Sequence, residues 1–182
     1  TFVQSNAQHL WPQGTYWHLK TRTDEWQAMP DNDLKQAAEQ LDGIIHTSRF
    51  KTLVHGDAKV ANFCFAESGN VAAVDFQYVG AGIGVQDLAY FIGSAFDERQ
   101  QIEFSPVLID AYFDVLATSL AGTLCDTDIC HLVDEWRDKY AIVNADFQRF
   151  LSGWNPTHWK LNSELNRYTN LALGQLKQGT FD

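Results

Sequence analysis

Between Leu53 and Gln77 the chain reads LVHGDAKVANFCFAESGNVAAVDFQ, which sets His55, Asp57, Asn62 and Asp75 among apolar, strand-forming residues. Ionised groups in such surroundings are costly unless a partner, a metal or a reaction uses them. The Val- and Phe-rich runs on either side of SGN predict two short strands joined by a hairpin turn at Ser68, Gly69 and Asn70. With the hairpin centred between Ser68 and Gly69, Asn62 and Asp75 face each other, and directly opposed Cβ atoms lie about 4.5–5.5 Å apart. An amide oxygen beside a carboxylate is hard-oxygen ligation. It suits Mg²⁺, which takes one or two carboxylates and completes its shell with water and substrate phosphates. Asp57 lies on the loop entering the first strand, placed to take a proton from a hydroxyl. Two metal ligands and one free carboxylate are what phosphoryl transfer asks of a protein beyond in-line positioning.

The spacing HxDxxxxN, here His55, Asp57 and Asn62, followed by a hairpin ending in Asp75, is that of the catalytic loop and metal Asp of protein kinases. Gly56 stands where protein kinases carry Arg. HGD with DF after the hairpin resembles the aminoglycoside phosphotransferase and choline kinase group, whose C-terminal lobe has the protein-kinase fold. DFQYVGAGIGVQDLAYF is similar to the segment after the metal Asp in choline kinases and in the ecdysteroid kinase-like family, with Asp87 matching an Asp that opens a helix. The resemblance covers residues 33 to 96 and continues beyond them as a helical pattern. It implies an ATP- and Mg²⁺-dependent small-molecule kinase. In it Asp57 is the base or hydroxyl-orienting group, Asn62 and Asp75 hold magnesium and with it the nucleotide phosphates, His55 supports the loop, and Asp87 fixes the loop through its backbone. Lys59 matches a phosphate-contacting Lys of many protein kinases and is a candidate for the transferred group. Gln77 takes the place of Gly in protein kinases and Glu in choline kinases.

Singly, these residues have plainer readings: Asp75 as a turn cap, Asn62 as a turn former, His55 as a structural histidine, Asp87 as a helix N-cap. Together, at this spacing, the first two lose to the metal-site reading. GAGIG at Gly80–Gly84 is neither GxGxxG nor GxxxxGKS and is expected to be a mobile connector where kinases carry their activation segment. Trp136, Trp154 and Trp159 are candidates for an aromatic wall against a cationic or ring-bearing substrate, with helix packing as the commoner use. Asp134, Glu135 and Asp138 read as a solvated helix face.

The elements that must position these groups are mostly helical. Apolar residues at Leu34, Ala37, Ala38, Leu41, Ile44 and Ile45 predict one helix over 31–49, capped by Asp31 or Asn32, with an upstream helical piece near Thr15–Gln27. Beyond GAGIG, helices are predicted near 86–96, 106–120, 128–150 and 156–177, with Ser105 and Thr127 as starts. No linker divides the chain, so one domain over 1–182 is expected. The fold class is α+β, predominantly α: a protein-kinase-like C-terminal lobe with a small catalytic β-hairpin.

A length of 182 residues with 45% hydrophobic residues supports a sizeable core. The net charge of −10 argues against nucleic acid or an anionic membrane surface as partner. Cys64, Cys125 and Cys130 form no CxxC pair, which points to a reducing, cytoplasmic setting. No run approaches the roughly 18 apolar residues of a membrane span, and the first residues lack the basic and apolar regions of a signal peptide. Before Asp57 there is no glycine-rich hairpin and no strand-borne Lys, so the N-terminal kinase lobe is missing, and a chain starting at Thr1 reads as a catalytic-lobe fragment, inactive alone. The alternative is a non-catalytic, kinase-derived binding module that takes a partner or a homodimer mate. The acceptor is a small hydroxylated metabolite; a choline-like amine, an aminoglycoside and a sterol-like alcohol all fit.

Overall fold

The computed structural model describes residues 10–181; the first nine residues, read above for a leader, and residue 182 lie outside them. The described chain is predominantly helical with two small antiparallel sheets, in line with the α+β class. A 3-10 turn at Leu19–Thr21 leads into α1 (Thr23–Ala28), α2 (Asp33–Gln36) and α3 (Ala38–His46). Four three-residue strands follow: β1 (Thr52–Val54), β2 (Phe63–Phe65), β3 (Val71–Ala73) and β4 (Gly80–Gly82). The rest is helical, with α4 (Val85–Ala95), α5 (Glu98–Leu120), α6 (Asp126–Asp138), α7 (Tyr140–Trp154) and α8 (Ser163–Lys177).

Helix α7 is the axis of the molecule. It is buried on nearly every side, since α1, α3, α4, α6 and α8 all pack on it. Its buried polar groups are paired except for Arg149 Nη1, which has no partner among the described residues: Arg149 Nε bonds Asp146 Oδ1 at 2.8 Å, Arg149 Nη2 bonds the Trp17 carbonyl at 2.7 Å, and Asn144 Nδ2 bonds the Tyr140 carbonyl at 2.8 Å. Leu41, Ile83, Val85, Phe113 and Ile142 anchor the main core, while Trp17, Tyr90, Phe147, Phe150 and Leu165 form a second, aromatic one. That second core lies under the loop carrying Asp57, because Tyr90 is also part of its surroundings.

Several boundaries differ from the sequence reading for local reasons. The helix expected over 31–49 is broken at Ala37, although Asn32 does cap it, its side chain accepting from Lys35 N at 2.9 Å. Ser105 does not start a helix. Helix α5 begins at Glu98 because Asp97 and Gln100 form a reciprocal capping box, and Pro106 sits inside it. Asp97→Ala should therefore cost about 1 kcal/mol, read as a fall in Tm of about 2–4 °C. Cys125, not Thr127, precedes α6; the span 128–150 divides at Lys139; and α8 starts after Asn162, whose side chain accepts from Leu165 N at 2.9 Å. Glu135 is not part of a solvated face: it accepts from Ser48 Oγ, from Arg49 N at 3.0 Å and from Lys139 Nζ at 2.7 Å, tying α6 to the segment before β1.

GAGIG is not a mobile connector. Its first three residues are β4, paired with β1 in the register Thr52↔Gly82, Leu53↔Ala81 and Val54↔Gly80. The segment around Trp11 lies on the other edge, with Trp11 N bonded to the Val79 carbonyl at 3.0 Å and Gly14 N to the Ala81 carbonyl at 2.8 Å. A Cβ at Gly80 would collide with the Trp11 carbonyl, so glycine serves close backbone packing here.

Candidate functional site

The loop HGDAKVAN is shaped by its backbone before any side chain acts. Gly56 has φ +82°, and a Cβ there would strike the Tyr78 carbonyl, so two separate constraints demand glycine. Gly56→Ala should destabilise the fold by about 1–2 kcal/mol from the left-handed backbone alone; chemical denaturation would register it. The loop is held from below by one face of α4. Asp87 accepts His55 N at 2.6 Å on Oδ2 and Gly56 N at 3.0 Å on Oδ1, and Ser94 Oγ accepts Val60 N at 2.7 Å. Burial pushes the Asp87 carboxyl above the usual carboxylate range, against the pull of those two N–H groups.

His55 joins the loop to the hairpin. Its Nε2 lies 2.8 Å from the Val74 carbonyl and its Nδ1 accepts Asp57 N at 3.3 Å, a pair of bonds that the neutral Nε2–H tautomer satisfies. The rings of Phe63 and Phe76 lie 5.8 and 5.0 Å from it.

Asp57 is the buried centre, 4% exposed. Its Oδ2 takes both Lys59 Nζ at 2.9 Å and Asn62 Nδ2 at 3.0 Å, while the same Asn62 nitrogen also reaches the Asp57 carbonyl at 2.8 Å. Oδ1 of Asp57 takes neither of these donors, and the Tyr90 hydroxyl is another polar group beside the carboxylate. Asn62 ends a 3-10 turn, Val60–Asn62, and is itself buried.

Asn62 and Asp75 are not opposed across the ladder. The observed pairs are Phe63↔Ala73, Cys64↔Ala72 and Phe65↔Val71, closed by a five-residue turn, Ala66–Asn70, with Gly69 at φ +82°. An odd turn shifts every pair by one relative to a centre between Ser68 and Gly69. Asn62 therefore meets Val74, whose N bonds the Asn62 carbonyl at 2.9 Å, and Asp75 is the next residue along. There the backbone leaves the extended region, with φ +66°, a conformation that Asp tolerates better than most side chains. Asp75 is exposed and accepts no hydrogen bond among the described residues. Gln77 is exposed too, and its carbonyl takes Trp11 Nε1 at 2.8 Å.

Three residues of the surroundings escaped the sequence reading. The Tyr90 and Tyr16 hydroxyls are 3.1 Å apart. Burial pushes Tyr16 up to about 12, relieved partly by the Tyr90 bond and reinforced by the charge of Asp57. Tyr90 is pushed up by burial, by Tyr16 and by the Asp57 carboxylate near its hydroxyl. Lys160 lies over the Tyr90 ring, 4.3 Å from its centroid. Tyr90 had a local signal, three residues after Asp87 on the same helical face; Tyr16 and Lys160 had none. Of the proposed aromatic wall, Trp136 is core, 3% exposed, with Nε1 on the Phe50 carbonyl at 3.1 Å. Trp154 and Trp159 are exposed and linked through His158, at centroid distances of 5.7 and 5.9 Å.

No group of three or more His, Cys, Asp or Glu that could hold a metal ion exists among the described residues, and no described helix is long and apolar enough to cross a membrane. Comparison with curated proteins and with solved structures gave no match. A family model does match, over residues 8–123, a span that contains the whole loop, both strands of the hairpin and α4. On that match the chain belongs to the ecdysteroid kinase-like family, a family of small-molecule kinases related to protein kinases.

Proposed function

We propose that the protein moves the γ-phosphoryl group of ATP to a hydroxyl of a small metabolite, with Mg²⁺, through a kinase C-terminal-lobe arrangement centred on Asp57. The observation carrying this reading is a buried carboxylate whose Oδ2 is fixed by Lys59 and Asn62, while Oδ1 takes neither of them and the Tyr90 hydroxyl lies beside the group. Fixed through one oxygen, it suits a group that orients an acceptor hydroxyl and takes its proton. As the acceptor oxygen bonds to phosphorus, the bond from phosphorus to the ADP oxygen breaks and the hydroxyl proton passes to Asp57.

Asn62 and Asp75 fit a magnesium ion. The amide nitrogen of Asn62 is spent on Asp57, which leaves its oxygen as the ligand atom, and the Asp75 carboxylate is uncommitted. Two hard oxygens match the few protein ligands Mg²⁺ uses. Bound there, the ion would neutralise charge on the phosphate oxygens of ATP. Lys59, half-exposed beside Asp57, suits a contact to the transferred group. His55 and Asp87 act through the backbone they hold.

A second reading, a non-catalytic binding module derived from a kinase, draws on the apolar residues that the hairpin exposes: Phe65, Val71, Val74 and Phe76. The two readings part in one experiment. Full-length protein is incubated with γ-labelled ATP and a panel of hydroxylated metabolites. A labelled product that forms with Mg²⁺ and disappears with chelator supports the transferase; ATP left intact across the panel supports the binding module.

A further inference from the structure

Lys160 stands in the loop between α7 and α8, outside the span the family model matches. Its ammonium lies 4.3 Å from the Tyr90 ring centroid and 5.7 Å from those of Phe147 and Trp159. Tyr90 thus has Lys160 on its face and the Asp57 carboxylate near its hydroxyl. Lys59 is paired with Asp57, whereas Lys160 Nζ makes no hydrogen bond and no ion pair among the described residues. Aromatic faces attract a cation but supply none of the oxygen acceptors that an ammonium has in water. A partly buried cation whose ammonium has no protein acceptor among the described residues is prepared for an anion.

Burial lowers the Lys160 pKa to about 8, opposed by the charge of Asp57 and assisted by that of Lys59. Most of the population is therefore still charged at neutral pH. The anion that both lysines could share is one placed beside Asp57.

We propose that Lys160, seated on the Tyr90 ring, is a phosphate-binding residue of the Asp57 site and holds the phosphoryl group as it reaches the acceptor oxygen. The nature of the anion rests on the phosphotransferase reading; the presence of an anion site does not. Lys59 then approaches the group from the Asp57 side and Lys160 from the Tyr90 side. Their combined positive charge also disfavours an acceptor that carries its own cation next to the reacting hydroxyl.

Inorganic phosphate is the probe. Its dissociation constant is measured by calorimetry for the wild type, Lys160→Met and Lys160→Arg, near neutral pH and again about one unit above the Lys160 pKa. Lys160→Met should weaken phosphate by about tenfold, and Lys160→Arg should restore most of it. Between the two pH values the wild type should lose affinity relative to Lys160→Arg, which stays charged; the titration of phosphate itself cancels in that ratio. Equal affinity of wild type and Lys160→Met, or a pH-independent ratio of wild type to Lys160→Arg, overturns the proposal. Should Lys160→Met fail to fold, the ratio decides alone. Lys160-dependent phosphate binding without any transfer would keep the anion site and reject the kinase reading, while transfer with phosphate binding indifferent to Lys160 would do the opposite.

Discussion

Asp57→Asn should lower kcat/KM for phosphoryl transfer by about 10²–10⁴-fold, the usual contribution of a positioned general base. The fold should survive. Asn is nearly isosteric, can still accept from Asn62, and gives up only an ion pair with a lysine whose side chain is 38% exposed. With the Asp57 end buried and the Lys59 end reached by water, a charge-assisted bond of that kind contributes about 1.5–3 kcal/mol. Initial rates at saturating ATP, set beside a thermal melt, separate the two effects. Turnover within a few-fold of wild type would remove Asp57 from the chemistry, whatever the melt showed.

Asp87→Ala should damage both the loop and the fold. It strips the acceptor from two backbone N–H groups, of His55 and Gly56, that lie between α4 and the loop. Hydrogen bonds to a charged acceptor contribute about 1.5–3 kcal/mol each. Removing a carboxylate whose burial is itself unfavourable offsets part of that, since burial holds its pKa up. A net loss of about 3 kcal/mol is expected. Amide exchange at His55 and Gly56 should rise with it, and transfer should fall by about a hundredfold through misplacement of Asp57. Unchanged protection at those two amides would show that Asp87 does not hold the loop.

These effects stem from residues that local spacing made legible. His55, Asp57, Asn62 and Asp87 lie within one continuous stretch, and their types at those intervals already point to a loop braced by a helix. Register was less accessible. Nothing in AESGN distinguishes an even turn from the five-residue one observed, and a one-residue difference moves Asp75 from a position opposite Asn62 to one beyond it. Helix boundaries failed where a side-chain cap outweighed a proline: Pro106 looked like a first-turn residue, but the box formed by Asp97 and Gln100 had already started α5. The role of GAGIG was hidden because its partners, β1 and the segment around Trp11, are remote in sequence. Lys160 and Tyr16 are the same problem in stronger form. They reach Tyr90 from opposite ends of the chain, and only the packing on α7 brings them together.

The division of labour at the hairpin can be tested directly with Mn²⁺·ATP in place of Mg²⁺·ATP, following paramagnetic broadening of amide and side-chain resonances in the full-length protein. The proposed site predicts that Asn62 and Asp75 broaden most, with Asp57 next, and that Asp75→Asn abolishes the effect at saturating wild-type concentrations. Strongest broadening away from the hairpin, or a pattern indifferent to Asp75→Asn, would contradict the assignment of Asn62 and Asp75 as the magnesium ligands beside Asp57.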